Sequence, residues 1–291
     1  TGFDPLDPSG MERYGYGKYM NVFTNLEFER LSNATGPTSG KVLKRASFMT
    51  EKKGKKGRRP KLIGPEYSTE PKSVAILHCI GSRDINFHSY CSRTCCMYAL
   101  KYAHLIKDKC GEATTVYNFY IDMRCFGKGY EGFYQKVQKE GVNMVRGKVS
   151  AIEENADGTL LVRAEDTLCA KMVEVEVEMA VLCTAMEPRG DAGEVAEKFG
   201  ICIGEDGFFQ ENHLKISPVN SPVKGIFMAG GCQGPKDIPD TVAQAKAAAA
   251  SALALGKQQE FVFAETVARV DSQKCTGCQF CFRVCSYGAI S

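Results

Sequence analysis

From residue 72 onward, short apolar runs alternate with amphipathic stretches, and this alternation restricts the possible folds more than any other feature. "KSVAILHC" is too short and too uniformly apolar for a surface helix and reads as a buried strand. "CSRTCCMYALKYAHLIKDK" follows as a helix, with Met97, Leu100, His104 and Ile106 near helical spacing. "ATTVYNFYID" is a second strand, and "GFYQKVQKEG" is a helix stopped by Gly141. "VNMVRGKVSAIEE", "LLVRAEDT" and "MVEVEVEMAVLCTA" then read as strands of a sheet or meander. Further on, "KGIFMAGG" reads as another buried strand and "DTVAQAKAAAASALALGKQ" as a helix. Strand–helix–strand repetition of this kind builds a parallel sheet, so the expected class is α/β.

In a nucleotide-binding unit of that class, the turn after the first strand carries phosphate-binding glycines. Here the turn reads "HCIGSRD", with Gly81 alone. Cysteines stand in the glycines' place. Cys79 ends the strand, and Cys91, Cys95 and Cys96 lie on or just before the helix. Positions 91 and 95 would share a helical face, and Cys96 would be turned by about 100° from Cys95. Thiols so placed suit three chemistries: buried apolar packing with a disulfide, a zinc site, or an iron–sulfur cluster. "GKGYEG" (Gly127, Gly129, Gly132) matches the dinucleotide pattern but follows the second strand, so it is expected to be a glycine-rich turn.

The terminal run "CTGCQFCFRVC" leaves less choice. Cys275, Cys278, Cys281 and Cys285 form C-x2-C-x2-C-x3-C, the run that wraps a [4Fe–4S] cubane in bacterial ferredoxins. A zinc ribbon would separate its two knuckles by many residues. Gly277 lets the backbone approach the cluster, and "YGAI" reads as a closing strand. Ser286 stands where proline is usual. In two-cluster ferredoxins the fourth cysteine of such a run serves the other cluster, so Cys285 has two possible destinations. Of the remaining thiols among the fourteen, Cys110, Cys125, Cys169, Cys183 and Cys202 are expected to be small buried hydrophobes, with Cys232 left open.

The rest of the composition is permissive. Apolar content of 44% and charged content of 24% fit an ordinary globular chain, and a net charge of +3 names no nucleic-acid partner. No apolar run reaches the roughly 18 residues of a membrane span, and the N-terminus lacks a signal peptide, so a cytoplasmic location is expected. Clustered thiols in a reducing compartment bind metal more often than they form disulfides. The basic stretch "KVLKRASFMTEKKGKKGRRPKL" reads as a solvated loop.

Several further motifs carry a resemblance. "TGFDP" at the start, with Thr1 and Gly2, and "LCTAMEP" at 182–188 resemble the crossover stretches of two-dinucleotide-binding-domain reductases. "AGGCQGPKDIPDTVAQ" resembles their late flavin-binding segment, with Cys232 where an aspartate would hold the ribityl chain. Together with "HCIGSRD", "YCSRTCCMYALK", "CFGKGYEGFY" and "KCTGCQFC", these make the chain similar, over nearly all its length, to the A subunit of heterodisulfide reductases.

That resemblance implies a thioredoxin-reductase-like α/β flavoprotein portion with a C-terminal ferredoxin-like module. It implies four segments: residues 1–70 in a flavin domain, 71–190 in a nucleotide-binding-like domain, 191–265 returning to the flavin domain, and 266–291 as the ferredoxin module. It further implies an unusual cubane on Cys79, Cys91, Cys95 and Cys96, and FAD against Thr1, Gly2, Gly230, Gly231, Cys232, Asp237, Ile238, Pro239 and Gln244. Lys101 would stand near the flavin, where a cation stabilises an anionic reduced ring. The implied function is electron relay, with electron bifurcation in some members, toward partner subunits and carriers such as ferredoxin. Two other readings compete: a self-contained NAD(P)H:acceptor oxidoreductase, and a non-catalytic iron–sulfur scaffold.

Overall fold

The computed structural model describes residues 2–48, 50–52, 61–257 and 270–285. Strands β1 (Phe3–Pro5) and β2 (Val22–Thr24), helix α1 (Asn25–Ser32) and the antiparallel pair β3 (Thr50–Lys52) and β4 (Lys61–Ile63) precede the central strand β5 (Ser73–Ile80). Then come α2 (Cys95–Cys110), β6 (Thr115–Tyr120), α3 (Tyr130–Lys139), β7 (Asn143–Arg146), β8 (Val149–Glu154), β9 (Leu160–Asp166), β10 (Lys171–Val177), β11 (Met179–Thr184) and β12 (Met186–Pro188). Helices α4 (Ala192–Phe199), α5 (Ile238–Gly256) and α6 (Phe280–Val284) complete the chain. The chain packs as two units, one of residues 5–186 and one of residues 1–4 with 187–291.

In the first unit β5 lies at the middle of a five-stranded sheet of order β2-β11-β5-β6-β7. Every neighbouring pair in it is parallel. Such sheets are covered on both faces, which is why β5 is apolar at successive positions rather than alternate ones. Val74 and Ile76 face a core shared with α1, α2 and α3. Ala75, Leu77 and Ile80 face a second core, formed with the antiparallel meander β10-β9-β8. The meander alternates, with Leu160, Val162 and Ala164 inward and Glu174 and Glu176 outward, because its other face is wet. Helix α1 starts where Thr24 and Glu27 form a capping box.

The expected break near residue 70 is not a break in packing, since Phe23, Phe28, Leu31 and Val42 share one core with β5 and α2. The stretch "MVEVEVEMAVLCTA" also divides. Its first half becomes β10 of the meander, and its second half enters the parallel sheet as β11. Glu178 marks the break, its backbone N–H donating to Ser73 O.

The second unit has a small core of Ala196, Phe209 and Met228, with Cys232 against it. "KGIFMAGG" is not a strand. It makes a single bridge, Asn220 to Phe227, and no neighbouring strand lies beside it among the described residues. Helix α5 forms as its alanine-rich sequence dictates, with no residue buried. "YGAI" and Thr1 lie outside the described residues. No described helix is long and apolar enough to cross a membrane.

Candidate metal centre

The site at the end of β5 depends on one irregularity. Along β5 and β11, Leu77 pairs with Leu182 but Ile80 pairs with Thr184, so three steps on one strand match two on the other. The extra residue is a β-bulge, a device that re-aims side chains. Without it, Cys79 would follow Ala75 and Leu77 onto the meander face. With it, Cys79 joins the helix-side core and Ile80 takes the meander side. Cys79 itself has φ +57°, a conformation uncommon for a residue with a Cβ and concentrated at functional sites. Gly81 follows at φ +77°, packed so closely on Leu6 that a Cβ would stand 2.4 Å from its Cδ1.

The chain then forms a loop pinned by Arg83 N to Tyr90 O and Asp84 N to His88 O, each 2.9 Å. The buried Asp84 carboxylate accepts from Lys148 Nζ at 2.7 Å and Arg13 Nη2 at 3.2 Å. The Lys148 hydrogen bond above all holds its pKa down at about 2. Helix α2 begins only at Cys95, since Arg93 sits at φ +59°. Cys91 therefore lies outside the helix, and the expected shared helical face of Cys91 and Cys95 does not exist. The loop supplies Cys91 instead, its Sγ accepting from Arg93 N at 3.3 Å.

Three of the four predicted thiols converge. Cys79, Cys95 and Cys96 share one core, nearly inaccessible to solvent, and each acts on the ionisation of the others. The Cys95 thiol holds both neighbours down, Cys79 to about 7 and Cys96 to about 4, while its own proton is held more tightly. The pKa of Arg124 is raised chiefly by its hydrogen bond to Asp122, with the charges of Cys91 and Cys96 adding to the effect. That side chain is held by Asp122, which also accepts from Arg83 Nη1 at 2.5 Å. Cys183 lies behind Cys79 and Cys96, fully buried.

All fourteen cysteines are free thiols, so the disulfide alternative has no counterpart in the structure. Among the described residues, no three His, Cys, Asp or Glu side chains close around a single ion. Zinc needs all its ligands on one atom, whereas a cubane gives each thiolate its own iron and tolerates wider spacing. Free thiols, with those of Cys79 and Cys96 lowered in pKa, have the thiolate character that either metal chemistry needs.

Sequence reasoning passed over two residues here. His78 and Asn118 are the polar members of otherwise apolar strands, and both are buried, with His78 Nε2 2.6 Å from Asn118 Oδ1. A polar side chain inside a continuous apolar run was the available signal. Among the scattered cysteines, Cys183 is buried as expected, but Cys169 is exposed on the turn between β9 and β10.

In the tail, Gly277 at φ +71° and Gln279 at φ +57° curl the chain before α6, and Cys275, Cys278 and Cys281 are exposed. The backbone N–H of Phe280 lowers the pKa of Cys278, as a wrapping loop requires. The predicted flavin segment gathers within its own unit. Gly230 N donates to Gln244 Oε1 at 2.8 Å, Asp237 caps α5 through Asp240 N at 2.9 Å, and Ile238 and Pro239 open the helix. Gly231 lies against Phe3, while Gly2 and Cys232 line one small hollow with Arg189. Cys232 Sγ donates to Ala229 O at 3.3 Å and offers no carboxylate. Lys101 is occupied, with Nζ 2.5 Å from Glu29 Oε2.

Comparison with known proteins shows what the chain is similar to. Residues 267–290 match the 4Fe-4S binding domain family. The iron-sulfur A subunit of a CoB--CoM heterodisulfide reductase of Methanopyrus kandleri is 44% identical over 99% of this chain and 41% of its own length. The A subunit of the H(2):CoB-CoM heterodisulfide,ferredoxin reductase of Methanothermobacter marburgensis is 44% identical over all of this chain and 41% of its own. A protein of Archaeoglobus profundus described as like the heterodisulfide reductase A subunit is 41% identical, with the same coverage. Lactococcus lactis thioredoxin reductase, 15% identical, covers 87% of this chain and 65% of its own with a TM-score of 0.47, a slight likeness. Matching those A subunits from end to end, the chain belongs to the family of heterodisulfide reductase A subunits and spans about two-fifths of its members' length.

Proposed function

We propose that the chain is an electron-transferring part of a heterodisulfide-reductase-like complex, carrying one [4Fe–4S] cluster on Cys79, Cys91, Cys95 and Cys96 and one on the terminal cysteines. The observation that carries this reading is the convergence of free thiols at the bulged end of β5, where a dinucleotide-binding unit would hold phosphate. A cluster there supplies one-electron transfer. Cys79, Cys91, Cys95 and Cys96 would hold it, and the Arg124 guanidinium would offset part of its negative charge. The terminal run Cys275, Cys278 and Cys281, with Cys285, presents a second cluster near the surface, suited to exchange with partner subunits or a ferredoxin-type carrier in the cytoplasm.

The segment Gly230, Gly231, Cys232, Asp237, Ile238, Pro239 and Gln244, with Thr1 and Gly2, is assigned one wall of an FAD site. Cys232 supplies none of the ribityl contacts an aspartate would make. Lys101 is assigned to the flavin's neighbourhood only if its pair with Glu29 opens. A self-contained NAD(P)H oxidoreductase is disfavoured, because the turn after β5 carries Gly81 alone in place of a phosphate-binding glycine loop.

Iron and acid-labile sulfide counted anaerobically on the full chain test the reading. Replacing all four terminal cysteines by alanine is expected to leave about four irons, and adding Cys95→Ala to remove them. A folded four-alanine chain without iron would reduce the internal thiols to packing.

A further inference from the structure

β5 and β6 are parallel neighbours, so the loops that follow them, residues 81–93 and 121–129, leave the sheet at the same edge. Two contacts tie these loops together. Arg83 Nη1 lies 2.5 Å from Asp122 Oδ1, and the Arg93 guanidinium lies 5.1 Å from the centre of the Phe126 ring. The first loop is also closed on itself, by Arg83 N to Tyr90 O and His88 N to Gly81 O. Arg83 and Arg93 hold left-handed conformations, at φ +53° and +59°, and such strain persists only where the surrounding structure imposes it. This braced frame presents apolar side chains to solvent: Ile85 is 94% exposed, Phe126 55% and Phe87 44%. A single exposed apolar residue is ordinary, but three on two tethered loops among charged groups mark an interaction site.

The charge at this edge is mainly positive. Arg83 and Arg124 share the Asp122 carboxylate, and Arg13 and Lys148 share that of Asp84. Lys128 is exposed on the second loop, and Glu131 at the start of α3 adds one negative charge. Cys91 sits in the first loop, and of the four internal thiols it is the one not buried.

We propose that this edge docks an acidic one-electron carrier protein of the iron–sulfur class, with Ile85 as its apolar anchor and the basic side chains steering its approach. The proposal rests on the internal-cluster reading above and adds the surface through which that cluster is reached. The docked carrier gives up one electron, so its own cluster is oxidised by one and the internal cluster reduced by one. No proton moves and no bond forms or breaks. An apolar anchor supplies affinity and a charged rim supplies approach rate, which suits a partner that must bind and leave quickly.

The test uses the full chain with Cys275→Ala, Cys278→Ala, Cys281→Ala and Cys285→Ala, loaded with iron anaerobically, so that the terminal run does not compete. The probe is a small acidic ferredoxin carrying two [4Fe–4S] clusters. Its binding is followed by calorimetry in the oxidised state, where no electron flows. Ile85→Asp, at a fully exposed position, is expected to raise Kd at least about tenfold with the urea midpoint unchanged. Lys128→Glu is expected to slow association about three- to tenfold at low ionic strength, a difference that fades by about 1 M salt. Lys139→Glu changes net charge equally but lies at the far end of α3, and is expected to leave both quantities near the parent's. A parent that does not bind the ferredoxin, an unchanged Kd in Ile85→Asp, or equal effects of Lys128→Glu and Lys139→Glu would each overturn the proposal while four irons per chain uphold the cluster. A chain without iron would overturn the cluster reading and the proposal with it.

Discussion

Gly81 offers the sharpest test of how the site is built, because it turns the chain away from Cys79 inside a closed core. In Gly81→Ala, a Cβ enters a left-handed conformation at φ +77°, which costs an L-residue about 1–2 kcal/mol. That Cβ would lie 2.4 Å from Leu6 Cδ1 and 3.1 Å from Met11 Cε, both buried side chains with little room to retreat. Overpacking of this kind adds about 1–3 kcal/mol. The stiffer unfolded chain returns about 0.4–1 kcal/mol. The net loss is about 2–4 kcal/mol, which lowers a urea midpoint by about 1–2 M for a typical dependence on denaturant. Tyrosine fluorescence is a selective reporter, since the chain has no Trp and Tyr287 is the one tyrosine outside residues 5–186. Leu6→Ala in the same background should recover the steric part, giving a coupling of about 1–2 kcal/mol in the double-mutant cycle. A midpoint shift below about 0.3 M, or additive costs in the cycle, would refute the reasoning.

Two further outcomes follow from the ion pairs. Asp84 has a folded pKa of about 2, below its ordinary value, so its stabilisation is complete above about pH 4 and is lost as pH falls through about 2. With Arg13 and Lys148 partly wet, this amounts to about 1–2 kcal/mol, so Asp84→Asn should lower the urea midpoint at pH 7 and converge with the parent near pH 2. Lys101→Met breaks a pair whose partners are both 43% exposed and should change stability by less than about 1 kcal/mol, whereas a larger loss in thermal unfolding would show the pair to be structural.

The A-subunit relatives bear out the resemblance carried by the motifs, and the 4Fe-4S domain match bears out the terminal run. Local signals announced the parallel strands as well, because strands buried on both faces must be apolar throughout. Other features depended on what came alongside. "KGIFMAGG" has the composition of a buried strand but no neighbour to complete its ladder. Cys91 and Cys95 have helical spacing, but Arg93 delays the helix.

By itself the sequence determined the class of fold, the order of its elements and which cysteines were grouped, since apolar periodicity and ligand spacing are properties of neighbouring residues. Only the tertiary structure decided that β11, about a hundred residues after β5, would lie beside it. That pairing creates the bulge, and the bulge turns Cys79 onto the helix side, into one core with Cys95 and Cys96. A side chain's face depends on its register with a distant partner, and no local pattern encodes that register.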